Sequence, residues 1–238
     1  MAAGTASKRF TKAAGLVDRT TTYPLDRAVV LLKELPAAKF DETVELSVSL
    51  NIDSKKTDQV VRGTATLPHG TGKTRRVIVF CKGEKELQAK EAGADVVGAA
   101  ELIEKVQGGW MDFDVAVATP DMMRDVSRLG KVLGPRGLMP SPKAGTVTDD
   151  VGKAIKEIKL GKVEFKMDKL ANIHFVIGKR SFEPQKLVDN GTVALEAIVR
   201  ARPSTVKGRM IKRVGLSSTM SPGIPIKIEG LETPAQAE

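Results

Sequence analysis

The sequence predicts an α/β protein in which an α+β domain, split between 1–67 and 160–238, carries an inserted Rossmann-like three-layer α/β domain at 68–159. Three observations carry this expectation. Apolar and polar residues alternate strictly near both ends of the chain, as in half-buried strands. The middle holds short, continuous apolar runs between helical patterns, as in a parallel sheet buried on both faces. Glycine-bearing joints, "LPHGTG" and "LG", separate the two patterns and predict a pair of crossings that act as a hinge.

Taken in order, residues 1–22 are small, polar and basic (Lys8, Arg9, Lys12, Arg19), and the first few are expected to be mobile. Pro24 is expected at the first position of a helix whose apolar stripe is Leu25, Ala28, Val29, Leu32 and Leu35, ended by Pro36. Val44, Leu46, Val48 and Leu50 alternate with Glu45, Ser47 and Ser49 as a strand; "NIDSKKTDQ" follows as a turn and "VVRGTATL" as a second strand. In the middle, "RVIVF", Asp95–Val97 and "DVAVA" are buried strands. Helices are expected at Gly83–Glu91, along Ala99, Leu102, Ile103 and Val106, from Thr119-Pro120 through Met122, Met123, Val126 and Leu129, and along Val151, Ala154, Ile155 and Ile158. Beyond Leu160-Gly161, "KVEFKMD" and "NIHFVIGK" read as a strand pair. Leu187, Gly191, Ala194, Leu195 and Ile198 form a helical stripe stopping before Pro203, and "RMIKRVGL" and "IPIKI" are further strands.

The 238 residues include 38 basic and 29 acidic side chains, a net charge of +9 that attracts polyanions. The single Cys81 excludes an internal disulfide and a cysteine-cluster zinc site and fits a reducing compartment. No apolar leader opens the chain and no run reaches the ~18 residues of a membrane helix, so a cytoplasmic protein without membrane partners is expected. With one Trp, one Tyr and seven Phe, aromatic stacking platforms for several bases are scarce.

Four stretches invite chemistry. "GKVLGPRGLMPSPKAG", Gly130–Gly145, carries only positive charges, Lys131, Arg136 and Lys143. Its glycines and prolines predict a shaped loop, neither helix nor strand, that exposes backbone N–H groups beside cations and suits a phosphate; the plainer reading is a basic surface loop. "GTGKT" at Gly70–Thr74 imitates a phosphate loop, but the position where the full motif needs its first glycine is Leu67 and a strand follows, so a glycine-rich joint is the reading. In "AKFDET", Lys39 suits phosphate, and Phe40 either packs on a ribose or base or sits in the core. In "LSSTMSPGI", Ser217, Ser218, Thr219 and Ser221 offer hydroxyls and Met220 an apolar contact suited to RNA, while an ordinary Ser/Thr/Pro/Gly connection accounts for the same residues. His69 and His174 lack neighbours at metal-ligand spacing, Asp149-Asp150 reads as the acidic start of a helix, and nothing assembles a catalytic site, metal site or cofactor site.

The blocks "AKFDETVE", "DSKKTDQVVRGTATLPHGTGK", "GWMDFDVAVATPD", "LGPRGLMPSPKAGTV", "IHFVIGK" and "SSTMSPG" together resemble the "L one" family of bacterial large-subunit ribosomal proteins, in order and across nearly the whole chain. The resemblance implies the same split domain with an inserted Rossmann-like domain. It implies a structural protein, not an enzyme and free of cofactors, that is a monomer when free. Its implied partners are 23S rRNA in the side stalk of the large subunit, exit-site tRNA whose release it assists, and its own operon mRNA, whose translation it represses. By position, the family's RNA contacts fall on Lys39, Phe40, Thr43, His174, Ser217, Thr219, Met220 and Ser221, with the basic pair Lys55-Lys56 where the family carries basic residues. Lys131, Arg136 and Lys143 are expected to make a secondary, transient contact to tRNA or neighbouring RNA. Two positions depart from the family pattern: Ser221 stands where glycine is usual, and Ala171-Asn172 replaces a pattern that usually includes glycine. The competing reading is a Rossmann-like enzyme or nucleotide-binding protein using Gly130–Gly145 for a phosphorylated ligand.

Overall fold

The structure, a computed structural model, describes residues 7–54, 56–206 and 208–228; the expected mobility of the first few residues lies outside them. The chain runs α1 (Lys8–Leu16), α2 (Leu25–Glu34), β1 (Thr43–Leu50), β2 (Arg62–Thr66), β3 (Val77–Phe80), α3 (Glu84–Glu91), β4 (Val96–Gly98), α4 (Ala100–Gln107) and β5 (Val115–Ala118). It continues through α5 (Met123–Val126), α6 (Gly130–Leu133), α7 (Val151–Leu160), β6 (Lys162–Lys166), β7 (Asn172–Lys179), α8 (Pro184–Arg200), β8 (Ile211–Ser218) and β9 (Ile224–Ile226). The architecture is α/β, and contacts divide it into one unit up to Gly72 and from Val163 onward and a second unit of Lys73–Lys162. Among the described residues no helix is long and apolar enough to cross a membrane.

The first unit is built on an antiparallel sheet in the order β7-β1-β8-β9. Period-2 alternation buries Val44, Leu46, Val48 and Leu50 and leaves Thr43, Glu45, Ser47 and Ser49 on the other face. The register to β7 adds Ile173, Phe175 and Ile177 to the buried face, against which α2 and α8 pack with Leu32, Leu187, Leu195 and Ile198. Leu25 opens α2 and Pro24 is its cap, one place before the expected helical position. The expected strand pair does not form. β6 joins β2 in a separate two-stranded sheet, while β7 pairs with β1, whose eight alternating residues match its own apolar spacing. The N-terminal α1, not foreseen in the sequence, is capped by the Ser7 hydroxyl accepting from Phe10 N and buries Ala13.

The linker after β2 belongs to this unit. Asn190, fully buried on α8, accepts from His69 N (3.2 Å) and donates to the carbonyls of Gly70 (3.0 Å) and Ile177 (2.7 Å). A Cβ on Gly72, at φ +72°, would stand 2.8 Å from Lys179 Cγ. The glycines of "GTGKT" therefore serve a close backbone packing, and the chain proceeds to β3 with no helix.

In the second unit the parallel sheet has the order β4-β3-β5. All four residues of β3 are buried. Ile78 and Phe80 face α4 and the segment Met122–Leu133, while Val77 and Val79 face α7 and Ala89 of α3, giving three layers. The single helix expected from Thr119 to Leu129 is instead a chain of short turns, 3-10 at Pro120–Met122 and Ser127–Leu129 on either side of α5. Gly130–Leu133, expected as loop, forms α6, because Leu133 is buried against the same core.

Candidate nucleic-acid interface

Two segments expected to contact RNA meet at one end of the four-stranded sheet. β1 begins where β8 ends, and Val44 lies opposite Ser218. Thr43 N donates to Thr219 Oγ1 (3.0 Å) and Thr219 N to the Thr43 carbonyl (3.1 Å), stitching the turn after β8 to the start of β1. Phe40 is not a core residue: it is 54% exposed, and Met220 across the junction is 48% exposed. Lys39 is exposed beside Phe40. Large apolar side chains left half in water next to a cation and hydroxyls suit ribose and base surfaces flanked by phosphate.

The solvent face of the sheet continues the same surface. Ser217 lies opposite Glu45, and His174 lies opposite Ser47. His174 Nδ1 is 2.8 Å from Glu45 Oε1 and 3.3 Å from Ser47 Oγ, an exposed pairing whose proton positions follow the tautomer. Lys179, absent from the sequence-based set, donates through Nζ to Thr43 Oγ1 at 2.9 Å. His174 is thus about 13 Å along β1 from Thr43, at strand rise.

The structure does not bring every expected residue together. Lys56 follows the far end of β1, in a loop tied by Ser54 Oγ to the Lys169 carbonyl (2.6 Å). The length of β1, about 24 Å at strand rise, runs between the start of that loop and the end of the sheet next to Phe40. Lys55 lies outside the described residues. The hydroxyl of Ser218 points inward and donates to the buried Glu42, so it is not a surface group. Ser221 Oγ accepts from Ser218 N at 2.8 Å and donates to the Pro222 carbonyl at 3.0 Å. Serine here ties the turn, and its φ is not positive, so the left-handed backbone that a glycine would permit is not used.

Beneath this junction lies a cluster that sequence reasoning missed. Glu42, 0% exposed, accepts from Ala38 N (2.7 Å), Met220 N (3.4 Å) and the Ser218 hydroxyl. Arg180 Nη1 and Arg9 Nη1 stand 3.6 and 3.8 Å from its Oε1. Burial pushes the Glu42 carboxyl up, but the Ser218, Ala38 and Met220 hydrogen bonds and the Arg180 charge outweigh it and hold the carboxyl below its ordinary value. In the sequence this residue is an acid at a strand start, indistinguishable from a solvated one.

In the second unit, Lys131 on α6 and Arg136 are exposed; the side chain of Lys143 lies outside the described set. The backbone of Gly130–Gly145 is not an open phosphate nest. Gly134, Gly137, Leu138, Ala144 and Gly145 donate their N–H groups to carbonyls of the same loop, and Ser141 N donates to Thr146 Oγ1. Proline and glycine shape this loop by turning these hydrogen bonds inward, while the cations Lys131 and Arg136 stay exposed. No group of three or more His, Cys, Asp or Glu among the described residues could hold a metal ion. Asp150 caps α7 by accepting from Lys153 N at 3.0 Å.

Comparison with known proteins adds independent findings. Residues 32–222 match the Ribosomal protein L1p/L10e family. The chain is 57% identical over 220 residues to the large ribosomal subunit protein uL1 of Kosmotoga olearia, covering 92% of this chain and 95% of that protein. It is 58% identical over 220 residues to the uL1 of Nocardia farcinica, with 92% and 93% covered. It is 54% identical over 233 residues to the uL1 of Saccharopolyspora erythraea, with 97% and 98% covered.

Proposed function

The chain belongs to the Ribosomal protein L1p/L10e family, and from that premise we propose that its split unit binds 23S rRNA and builds the mobile side stalk beside the exit site. As a member of this family it is a structural constituent of the large ribosomal subunit, acting in translation on the cytoplasmic ribosome, and not an enzyme. That removes the Rossmann-like enzyme as a rival. The RNA-binding domain is the discontinuous one, and the inserted domain assists release of deacylated tRNA, with Lys131, Arg136 and Lys143 as its cations. The same rRNA surface binds the protein's own operon mRNA and represses its translation.

The observation that carries this reading is the pairing of half-exposed Phe40 and Met220 at the stitched ends of β1 and β8, beside Lys39 and Thr219, in a chain of net charge +9. Such a surface combines phosphate attraction with apolar contact to unstacked bases. Binding to 23S rRNA should weaken by about 1–3 kcal/mol in Phe40→Ala or Met220→Ala, the scale of a base contact, with the melting temperature unchanged. Binding to the operon mRNA should weaken in parallel, and both affinities should fall steeply with salt. Normal binding by both variants, or a flat salt response, would show that the surface is misplaced.

A further inference from the structure

Glu42 sits between the two segments proposed to touch RNA and reaches both. Its Oε1 accepts from Ala38 N, two residues before Phe40, and its Oε2 accepts from Ser218 Oγ and from Met220 N. Arg9 spans the same gap from α1, donating through Nη1 to the Pro36 carbonyl (3.2 Å) and through Nη2 to the Met220 carbonyl (3.2 Å). Arg180 donates through Nη2 to the carbonyls of Lys33 (3.1 Å) and Leu35 at the end of α2, and its backbone N donates to the Glu42 carbonyl (2.8 Å). Asp41 adds a tie to Ser181, accepting its N–H at 3.0 Å and its hydroxyl at 2.8 Å. A carboxylate without exposed surface is tolerated because two guanidinium groups and three hydrogen bonds replace its water.

We propose that Glu42 is the positioning residue of the RNA surface: one buried carboxylate holds the Phe40 segment and the Met220 turn in a single geometry before RNA arrives. This rests on the rRNA-binding reading above. Glu42 has no exposed surface to offer RNA, so it acts only through the backbone groups it holds. Pre-ordered contact residues lose less conformational freedom on binding, and affinity rises accordingly.

The test uses Glu42→Gln in the full chain, with 23S rRNA as the probe. Charge alone predicts tighter binding, since an acid is removed from a protein that binds a polyanion. Positioning predicts the opposite: affinity about ten- to a hundredfold weaker, the scale of a lost charged hydrogen bond. The double variant with Met220→Ala should then lose less than the product of the two single losses, because a displaced turn already misplaces Met220. Ser218→Ala removes one donor without leaving a charge unpaired and should give a smaller loss in the same direction, which keeps the test open if Glu42→Gln does not fold. Equal or tighter binding by Glu42→Gln, or by Ser218→Ala when the former is unfolded, while Phe40→Ala and Met220→Ala still bind weakly, overturns the positioning role. Losses in Glu42→Gln and Met220→Ala that simply multiply overturn it too. If Phe40→Ala and Met220→Ala bind normally, the rRNA reading itself has failed and takes this proposal with it.

Discussion

At the scale of single residues, the proposed RNA surface has an outer and an inner set. Phe40 and Met220 keep large apolar area in water, and Glu42 keeps a charge out of it. The inner residue gives stability a pH dependence. The fold holds the Glu42 carboxyl below its ordinary value of 4.5. Its contribution is therefore complete above about 4.5 and is lost as pH falls through the folded value. The melting temperature should decline more steeply in the native protein than in Glu42→Gln as pH falls below about 4.5. Parallel acid limbs in the two proteins would remove this role. Ser221 shows how a departure from the family pattern is absorbed: its hydroxyl bonds Ser218 N and holds the turn from within.

At the scale of elements, the turn between β6 and β7 shows the other departure. Ala171 has φ +61° and is the only non-glycine residue with positive φ among the described residues. The turn is held by Asp168, whose Oδ1 accepts from Leu170 N (2.8 Å) and Asn172 N (2.7 Å). The Asn172 amide, with that of Leu170, holds this carboxyl below its ordinary value despite the loss of some water. An alanine in the left-handed region costs about 1–2 kcal/mol, and its buried methyl returns about 0.8 kcal/mol. Ala171→Gly should therefore raise stability in chemical denaturation by about 0.5 kcal/mol, the remainder of those opposing terms. A loss of about 0.8 kcal/mol, the full value of the methyl, would mean that the strain argument fails. The same region shows where reading by element stopped short. Both β6 and β7 are legible as alternating runs, yet neighbours in sequence are not neighbours in the sheet: β6 goes to β2 and β7 to β1. Helix α1 was illegible because its one buried residue, Ala13, leaves too narrow an apolar stripe to detect.

At the scale of the whole molecule, the chain forms two units with separate cores. The proposed rRNA contacts Lys39, Phe40, Thr43, Lys56, His174, Ser217, Thr219, Met220 and Ser221 all belong to the first unit, and Lys131 and Arg136 belong to the second. A protein joining 1–72 to 163–238 through a short Gly/Ser linker should fold cooperatively and keep most of the affinity for 23S rRNA. Its joint lies after Gly72 because Asn190 and Phe182 hold residues 69–72 on the first unit. A folded fragment that has lost that affinity would move RNA recognition to the inserted part.

What the sequence determined by itself is what depends on nearby residues: the alternation of β1, the continuous burial of β3, the stripes of α2, α7 and α8, and the positive charge. Burial period and charge are local or additive properties, so they are visible without coordinates. The blocks that resemble the family also marked Phe40 and Met220 as candidate RNA contacts, and both side chains are half exposed. Tertiary structure alone decided which strands pair, that five amides of Gly130–Gly145 bond carbonyls of the same loop, and that Lys56 stands beyond the other end of β1 from Phe40. It alone revealed the cluster in which Ser218 reaches Glu42 across 176 positions of sequence. A buried carboxylate and an exposed one are the same letter, and only the fold determines whether water or two arginines surround it.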